Sequence, residues 1–498
     1  MNRFKKFFNS LFFEFNILFA VFYLLYVFAN IKLNMINIVS AAAFILICCD
    51  FIYAASYKTK NTPIQIVLTA ILFIINFASN YIAGLSAYTL DKNYIGIISI
   101  ILIFVINAVF IYVNEKKQCK RLEINKKAAI VLYTAGILFL LSILIVGMIS
   151  LFAKTPVNTN TVNLALLFIV LCSAVLGLLI SLSGSFTSKN ALFFAVVMFI
   201  LAVVPFSVLQ LSVVYDINQA NIVFADMNVE PDKNMRKLPY SVADEFIGVE
   251  TNGFEIKREV VYYTSDKGVD KGLSLRYDMY LPENSSKDTS VLVNIHGSGG
   301  DKDTGNYAHR NKYFAGRGYA VFDLQIGDWN ESNTGFTEDM YSSENMLFHI
   351  DKFFEHLSNH NDENLNLSSV FITGVSMGGG LAGKYAYSYD NHLNDYGIVL
   401  KGIIPVYPGY SPDSEGIDNY LNYVDGDSVP TMIVMGVSDC IVRTETVTET
   451  LNAFEGAGNH NCYALEISYA GHGSDSLMTG RTNQMIMYYA ERFMENFK

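Results

Sequence analysis

The stretch FITGVSMGGG, residues 371–380, places a serine between two glycines where an apolar, β-rich run gives way to a helical one. A tight turn between a strand and a helix holds the serine backbone in a strained conformation, and the flanking Gly374 and Gly378 remove side chains that would obstruct it. The Ser376 hydroxyl would then stand exposed above a sheet, beside the first N–H of the helix. The pattern predicts an acylating nucleophile, with an ordinary glycine-rich turn as the alternative.

Charge and hydropathy divide the rest of the chain into two parts. The sequence has 498 residues and is 52% apolar, which is high for a soluble protein. Residues 1–220 hold 15 Lys and Arg but only 6 Asp and Glu, in long apolar blocks, whereas residues 221–498 hold 20 basic and 40 acidic residues. The first part is expected to lie in a membrane and the second part in water.

Seven apolar blocks have about the ~20 residues that a helix needs to cross a bilayer. They lie at about 11–31, 35–55, 63–83, 93–113, 128–152, 161–184 and 190–214. The first block is too long and too continuously apolar for a cleaved signal peptide, and no small-residue cleavage site follows it. The sequence therefore predicts an integral membrane protein with a seven-helix domain over residues 1–214.

Charges in the loops predict the orientation of these spans. Twelve Lys and Arg fall on the side of the N-terminus and three on the other side, the latter being Lys32, Lys92 and Lys154. Positive charge stays in the cytoplasm, so the N-terminus is expected to be cytoplasmic. Because seven spans carry the chain across, everything after residue 215 is expected outside the cytoplasm, at the plasma membrane.

Residues 215–255 are mixed and polar and are predicted to form a linker with one short helix. Residues 256–498 then alternate between strand-like and helical patterns, which favours a mostly parallel sheet with helices on both faces. The strands are predicted at about 257–264, 273–281, 290–296, 318–324, 369–374, 402–407, 431–436 and 463–469. The helices are predicted near 306–317, 342–359, 377–389, 444–455 and 480–495.

Three chemically active residues directly follow predicted strands, at the sheet end where such folds gather their sites. They are Ser376, Asp439 and His472, spaced by 63 and 33 residues. A histidine oriented by a carboxylate can remove the proton of a serine hydroxyl, which is otherwise a poor nucleophile. We therefore predict a catalytic triad.

Other acids and histidines compete for two of these roles. Asp413 and Asp425 are loop acids that compete with Asp439, and His460 competes with His472 but precedes the last strand. His296 is expected to bond loop backbone. The histidines at 309, 349, 356, 360 and 392 fall on helices or loops and are expected to face solvent.

A second glycine-rich loop follows the strand-like run VLVNI at 291–295 and reads HGSGG. Backbone N–H groups in such a loop can turn toward a bound carbonyl oxygen. Gly297 or Ser298, together with Met377, is predicted to form an oxyanion hole.

On these residues the segment from about 257 to 498 resembles an α/β-hydrolase. The run YDMYLP at 277–282, ahead of His296 and Gly297, resembles the carboxylesterase branch, which includes acetyl esterases and hormone-sensitive-lipase-like or feruloyl-esterase-like enzymes. The resemblance implies the roles given above for Ser376, Asp439 and His472. In one departure, Ser298 stands where the lipase-type His-Gly-Gly-Gly motif has its middle glycine.

The sequence also favours one pocket residue and argues against a metal centre. Trp329 follows the strand ending at Leu324 and is predicted to line the acyl or alcohol pocket, the alternative being a ring packed on a neighbouring helix. The six cysteines form no C-x-x-C pair, so we expect neither a disulfide framework nor a zinc site. No metal or other cofactor is expected.

The leading functional prediction is a membrane-bound serine ester hydrolase that works through an acyl-enzyme. The alternatives are a serine peptidase of the prolyl-oligopeptidase type and a multi-span sensor or transporter with a hydrolase-like ligand-binding domain. The expected partners are the lipid bilayer and an ester substrate, either envelope carbohydrate or lipid-linked. Nucleic acid is not expected, because the outer half is strongly acidic.

Overall fold

The computed structural model describes residues 2–28, 35–85, 93–116, 122–183, 189–227, 229, 235–302, 305–327, 343–389, 391–409 and 420–498. Trp329 and Asp413 therefore lie outside the described residues, and the predictions made for them stay predictions.

The N-terminal part is a bundle of long apolar helices. Within the described ranges, seven helices are long and apolar enough to cross a membrane, as the sequence predicted. They identify the chain as an integral membrane protein. The helices of this part are α1 (Asn2–Phe28), α2 (Ile36–Tyr57), α3 (Thr62–Gly84), α4 (Tyr94–Lys116), α5 (Lys126–Phe152), the short α6 (Asn158–Thr161), α7 (Ala165–Leu182) and α8 (Lys189–Val223).

Helix α8 is longer than a bilayer requires. Its 35 residues span about 50 Å at ~1.5 Å per residue, against a hydrocarbon core of ~30 Å. Its C-terminal end packs into the core of the second domain, together with Phe224, whose ring lies 5.6 Å from that of Tyr463 and 4.8 Å from that of Tyr489. The last span therefore continues into the core of the sheet domain.

A short helix, α9 (Val242–Ile247), packs back onto the membrane helices. The Phe246 ring lies 6.0 Å from that of Phe44 and 5.8 Å from that of Phe73. The backbone carbonyl of Phe246 accepts a hydrogen bond from the Asn76 side chain at 2.6 Å, and that of Glu245 accepts one from Asn80 at 2.7 Å. The segment predicted as a linker is therefore in close contact with the bundle over part of its length.

The second part is an eight-stranded sheet in the order β1-β2-β4-β3-β5-β6-β7-β8. Strand β2 pairs antiparallel with β1 and β4, and the remaining pairs are parallel. The strands are β1 (Phe254–Thr264), β2 (Ser274–Pro282), β3 (Ser290–Ile295), β4 (Ala320–Leu324), β5 (Asn366–Val375), β6 (Leu400–Val406), β7 (Thr431–Gly436) and β8 (Cys462–Ile467). All eight predicted strands are present.

Helices cover both faces of this sheet. Alternate residues of β3 enter opposite cores, Leu292 on one face and Val291 and Val293 on the other, as the two-residue period of a strand requires. The helices are α10 (Gly305–Ala315), α11 (Ser343–Asn359), α12 (Met377–Tyr387), α13 (Thr446–Gly456) and α14 (Arg481–Phe497). The predicted fold class is confirmed in its architecture, a helical membrane domain followed by a mostly parallel sheet with helices on both faces.

Candidate active site

Ser376 lies at the turn between β5 and α12 in a strained conformation, with φ of 55° and ψ of −120°. A Cβ atom at Gly374 would lie 2.9 Å from the backbone nitrogen of Gly379, and one at Gly378 would lie 2.8 Å from the carbonyl carbon of Ile295. Real side chains do not approach backbone so closely, so both flanking glycines are required. The positive φ at a non-glycine residue marks stored strain of the kind found at functional sites.

Ser376, His472 and Asp439 form one chain of hydrogen bonds. Nδ1 of His472 lies 2.9 Å from Oδ2 of Asp439, and Nε2 lies 3.1 Å from Oγ of Ser376. An ionised carboxylate only accepts, so Nδ1 carries the proton and Nε2 is left to accept from the serine hydroxyl. This is the tautomer that a general base needs.

The Asp439 carboxylate is buried and held from both sides. Its Oδ1 accepts hydrogen bonds from the backbone N–H groups of Ile441 at 2.8 Å and Val442 at 2.9 Å, which leaves Oδ2 for His472. The turn after β7 therefore fixes the orientation of the carboxylate, and the carboxylate fixes that of the imidazole.

The competing residues that the structure describes lie elsewhere. Asp425 sits in an exposed turn, where its Oδ1 accepts from the backbone N–H of Asp427 at 3.0 Å and from the hydroxyl of Ser428 at 3.0 Å. His460 is exposed just before β8, at the opposite end of the sheet from Ser376. Neither is part of the hydrogen-bonded chain.

The two backbone segments predicted to bind an oxyanion lie side by side. The glycine at 378 packs against the carbonyl groups of Ile295 and His296, which brings the loop after β3 against the first turn of α12. Within the described part of the chain, the N–H of Met377 has no hydrogen-bond acceptor. Gly297 is buried and Ser298 is exposed. The choice between these two as second donor stays open.

His296 connects two loops of this end of the sheet. Its buried ring lies with Nδ1 2.9 Å from the carbonyl oxygen of Gly297, and its Nε2 accepts from the backbone N–H of Ile326 at 3.2 Å. Both ring nitrogens are therefore bonded to loop backbone, which is the structural role expected from the sequence.

Two histidines expected to face solvent are buried instead. His349 accepts at Nδ1 from the backbone N–H of Gly327 at 3.2 Å, and its Nε2 lies 3.2 Å from Oδ1 of Asp270. Burial is the main cause that lowers the pKa of the His349 imidazole. Burial, together with the nearby Arg310 guanidinium, lowers the pKa of His309 to about 3. The local sequence around His309 and His349 could not show that other parts of the fold pack over these helix faces.

Sequence reasoning missed Tyr407. Its ring centroid lies 4.6 Å from that of His472, and its hydroxyl donates to Asp475, a buried carboxylate that pairs with Arg310. Tyr407 directly follows β6, so its strand-end position was the signal that could have found it. The ring packs beside the imidazole and supports it.

The described residues contain no group of three or more His, Cys, Asp or Glu side chains that could hold a metal ion. Cys440 and Cys462 are both free thiols, and burial raises the pKa of Cys462 to about 12.

No family model matches the chain, and no curated protein matches it. Solved structures of esterase 2 from Thermogutta terrifontis are similar to part of it. The apo form is 19% identical, with 49% of this chain and 92% of that chain covered and a TM-score of 0.38. The butyrate-bound form is 18% identical with the same coverage and TM-score.

Proposed function

We propose that this protein is a membrane-bound serine ester hydrolase that works through an acyl-enzyme. The hydrogen-bonded chain Ser376–His472–Asp439 at the carboxyl ends of β5, β8 and β7 carries the proposal. Serine, imidazole and carboxylate at these distances provide a nucleophile, a general base and a group that orients the base.

In the proposed reaction, Oγ of Ser376 attacks the ester carbonyl while Nε2 of His472 takes the hydroxyl proton. The same imidazole then gives that proton to the departing alcohol, and the acyl group stays on Ser376. Water, deprotonated by His472, releases the acid and restores the serine. The N–H of Met377 and that of Gly297 or Ser298 would stabilise the negative oxygen in both steps, each by about 3 kcal/mol.

We propose further that the sheet domain lies outside the cytoplasm, with the N-terminus inside and the protein in the plasma membrane. The charges of the loops support this orientation. The structure adds that the sheet domain and α9 both contact span ends on one side of the bundle: Lys312 of the sheet domain donates to the carbonyl of Leu85 after α3, and Asn37 at the start of α2 accepts from the N–H of Val242 in α9 at 2.6 Å. The proposed substrate is an ester of envelope carbohydrate or of a lipid-linked molecule.

The peptidase alternative requires a large domain over the active site, and the described residues before β1 are membrane helices, α9 and short connections. Hydrolysis of nitrophenyl esters, compared with cleavage of aminoacyl-proline amides, separates the two. A higher rate on the amides would contradict the proposal. The sensor or transporter alternative predicts no turnover of either substrate.

The test of the nucleophile is labelling of membranes with a fluorophosphonate. We expect the full chain to be labelled, Ser376→Ala to abolish labelling, and the same variant to lower kcat on a nitrophenyl ester by about 10⁶-fold. Ser368→Ala is the matched control, because Ser368 is an exposed serine on the same strand near its opposite end. Labelling that persists in Ser376→Ala would overturn the proposal.

A further inference from the structure

The loop that carries His472 rests on the membrane domain. Residues 153–164 connect α5 to α7 and are called the membrane loop below. A Cβ atom at Gly471 would lie 3.1 Å from the backbone nitrogen of Thr159, and one at Gly473 would lie 3.5 Å from its Cγ2. Thr159 therefore contacts both neighbours of His472 in the chain.

Hydrogen bonds fix this contact. The Asn163 side chain donates to the carbonyl of Ser474, and the Ser476 hydroxyl lies 2.6 Å from Oδ1 of Asn160, to which it donates. Gly480 packs so closely on Asn163 that a Cβ atom there would lie 2.7 Å from its Cγ. The loop 471–480 is thus held by side chains more than 300 positions earlier in the chain.

The loop that carries Asp439 faces the same membrane loop. Nζ of Lys154 lies 3.4 Å from the Thr444 hydroxyl oxygen, which accepts from it. Ile441, two residues after Asp439, is 66% exposed, and Phe152 at the end of α5 is 78% exposed. The loops that carry the two partners of Ser376 therefore both contact the membrane loop. Each of the two chain segments that meet here carries an exposed apolar side chain, Ile441 in the Asp439 loop and Phe152 next to the membrane loop.

The membrane loop joins the ends of two membrane spans, so it lies at the boundary between hydrocarbon and water. An amphiphile in the bilayer keeps its apolar chain in the hydrocarbon and its polar groups at that boundary. An ester group that joins the apolar chain of the amphiphile to its polar groups would lie at the level of the membrane loop. Exposed apolar side chains beside an active site favour an apolar ligand.

We propose that residues 158–163 form one wall of the catalytic site, and that the site takes the ester of an amphiphile resident in the bilayer. Asn160 and Asn163 are positioning residues that act through the His472 loop. Ile441 lies at the entrance of the site and contacts the apolar chain of the substrate. This inference rests on the proposed function, because it names the substrate class of the same site.

The experiment uses the full chain in phosphatidylcholine vesicles and two esters with one leaving group, 4-methylumbelliferyl oleate in the bilayer and 4-methylumbelliferyl butyrate in water. We expect Ile441→Glu to lower the ratio of kcat/KM for oleate to that for butyrate by about tenfold, mainly through KM for oleate. The matched control is Val399→Glu, an exposed apolar residue just before β6 and at the end of the sheet opposite the site, which should leave the ratio unchanged.

The wall is tested with Asn160. Asn160→Ala removes the acceptor of the Ser476 hydroxyl and should lower kcat on both esters about threefold to tenfold at unchanged KM, since small displacements of a catalytic group are costly. Asn160→Asp keeps an acceptor and should restore kcat. An equal loss in the two variants would overturn the assigned role of Asn160.

Two outcomes separate the failure of this inference from that of the proposed function. In the first outcome, hydrolysis of the butyrate ester depends on Ser376, but Ile441→Glu leaves the ratio of kcat/KM for oleate to that for butyrate unchanged. This would overturn the amphiphile substrate and leave the ester hydrolase standing. Equal rates for wild type and Ser376→Ala on both esters would overturn the ester hydrolase and the inference with it.

Discussion

The sheet edge that carries the candidate catalytic residues and the junction between the membrane helices and the sheet domain use polar side chains in different ways. At the candidate catalytic edge, Ser376, Asp439 and His472 lie at or in the turns that follow three strands, and parallel strands bring these turns together. At the junction, Arg481 is 0% exposed and donates to the Leu209 carbonyl of the last span at 2.7 Å, across 272 positions of the chain.

The junction is dense in such buried polar contacts. Arg481 also donates to the Ser212 hydroxyl and lies 3.7 Å from Asp216, both on α8. Gln484 accepts from the N–H of Ser241 at 2.7 Å. Buried polar groups are costly unless they are paired, so each pair favours one arrangement of the two domains. The difference teaches that local turn geometry assembles the candidate catalytic residues, whereas long-range polar pairs fix how the sheet domain sits on the membrane helices.

The largest expected effect is on the catalytic edge. Asp439→Asn keeps an acceptor for the N–H groups of Ile441 and Val442 but presents an amide N–H to Nδ1 of His472. The imidazole then carries its proton on Nε2 and cannot accept from Ser376. We expect kcat on a soluble nitrophenyl ester to fall by about 10⁴-fold, with the midpoint of thermal unfolding little changed.

Asp425→Asn is the matched control for this change, because Asp425 was the alternative candidate for the carboxylate that orients His472 and lies in an exposed turn. It should leave kcat unchanged. A loss of activity in Asp425→Asn and not in Asp439→Asn would show that the carboxylate was assigned wrongly.

The second effect is on the junction. Arg481→Met leaves Asp216 buried without its cation and should reduce the free energy of unfolding by about 3–5 kcal/mol, measured by thermal unfolding in detergent. Combining it with Asp216→Leu should recover part of the loss, since a buried pair replaced by apolar side chains is often neutral.

The matched control for the junction is Arg443→Met. Arg443 forms an exposed ion pair with Glu449 at 2.9 Å, and such pairs contribute about 0–1 kcal/mol. Equal losses in Arg443→Met and Arg481→Met would contradict the role given to the buried pair.

The smallest effect concerns pH at the same junction. His309 lies 3.5 Å from where a Cβ at Gly84 of α3 would be, and burial, with Arg310, lowers its pKa to about 3. The unfolded chain binds a proton at this residue below pH ~6.5 and the native protein does not, so stability is lost as pH falls below that value. We expect a loss on the order of 1–2 kcal/mol between pH 7 and pH 5 from this residue.

Thermal unfolding at the two pH values measures this loss, and His309→Gln should make it smaller. His460→Gln is the control, because that side chain is in water in both the folded and the unfolded state. If His309→Gln and wild type lose the same stability between pH 7 and pH 5, the buried neutral imidazole does not contribute to the pH dependence of stability.

Much of the fold could be predicted because its signals are local. Blocks of about 20 apolar residues identify the seven spans, and β-rich runs bounded by turns identify the eight strands. The strands were placed within a few residues; β1, for instance, begins at Phe254 rather than near 257. The first and last membrane helices extend further than predicted, because α1 begins at Asn2 rather than near 11 and α8 ends at Val223 rather than near 214. The strand-end positions of Asp439 and His472 then brought both residues to the same edge as Ser376.

The burial of His309 and His349, the packing of α9 on Asn76 and Asn80, and the contact of Thr159 with the His472 loop could not be predicted. Each depends on a partner far away in the sequence. An asparagine in an apolar helix is compatible with many neighbours, and only the packed bundle selects one of them.

The sequence by itself determined the membrane spans, the parallel sheet and the strand-end placement of Ser376, Asp439 and His472, because hydropathy, strand period and glycine at a strained turn are properties of neighbouring residues. Only the tertiary structure decided that Nε2 of His472 faces Ser376, and that the loop carrying this histidine rests on residues 158–163 of the membrane half. Hydrogen bonds such as that from Ser476 to Asn160 join residues 316 positions apart, and no local pattern specifies such a pair.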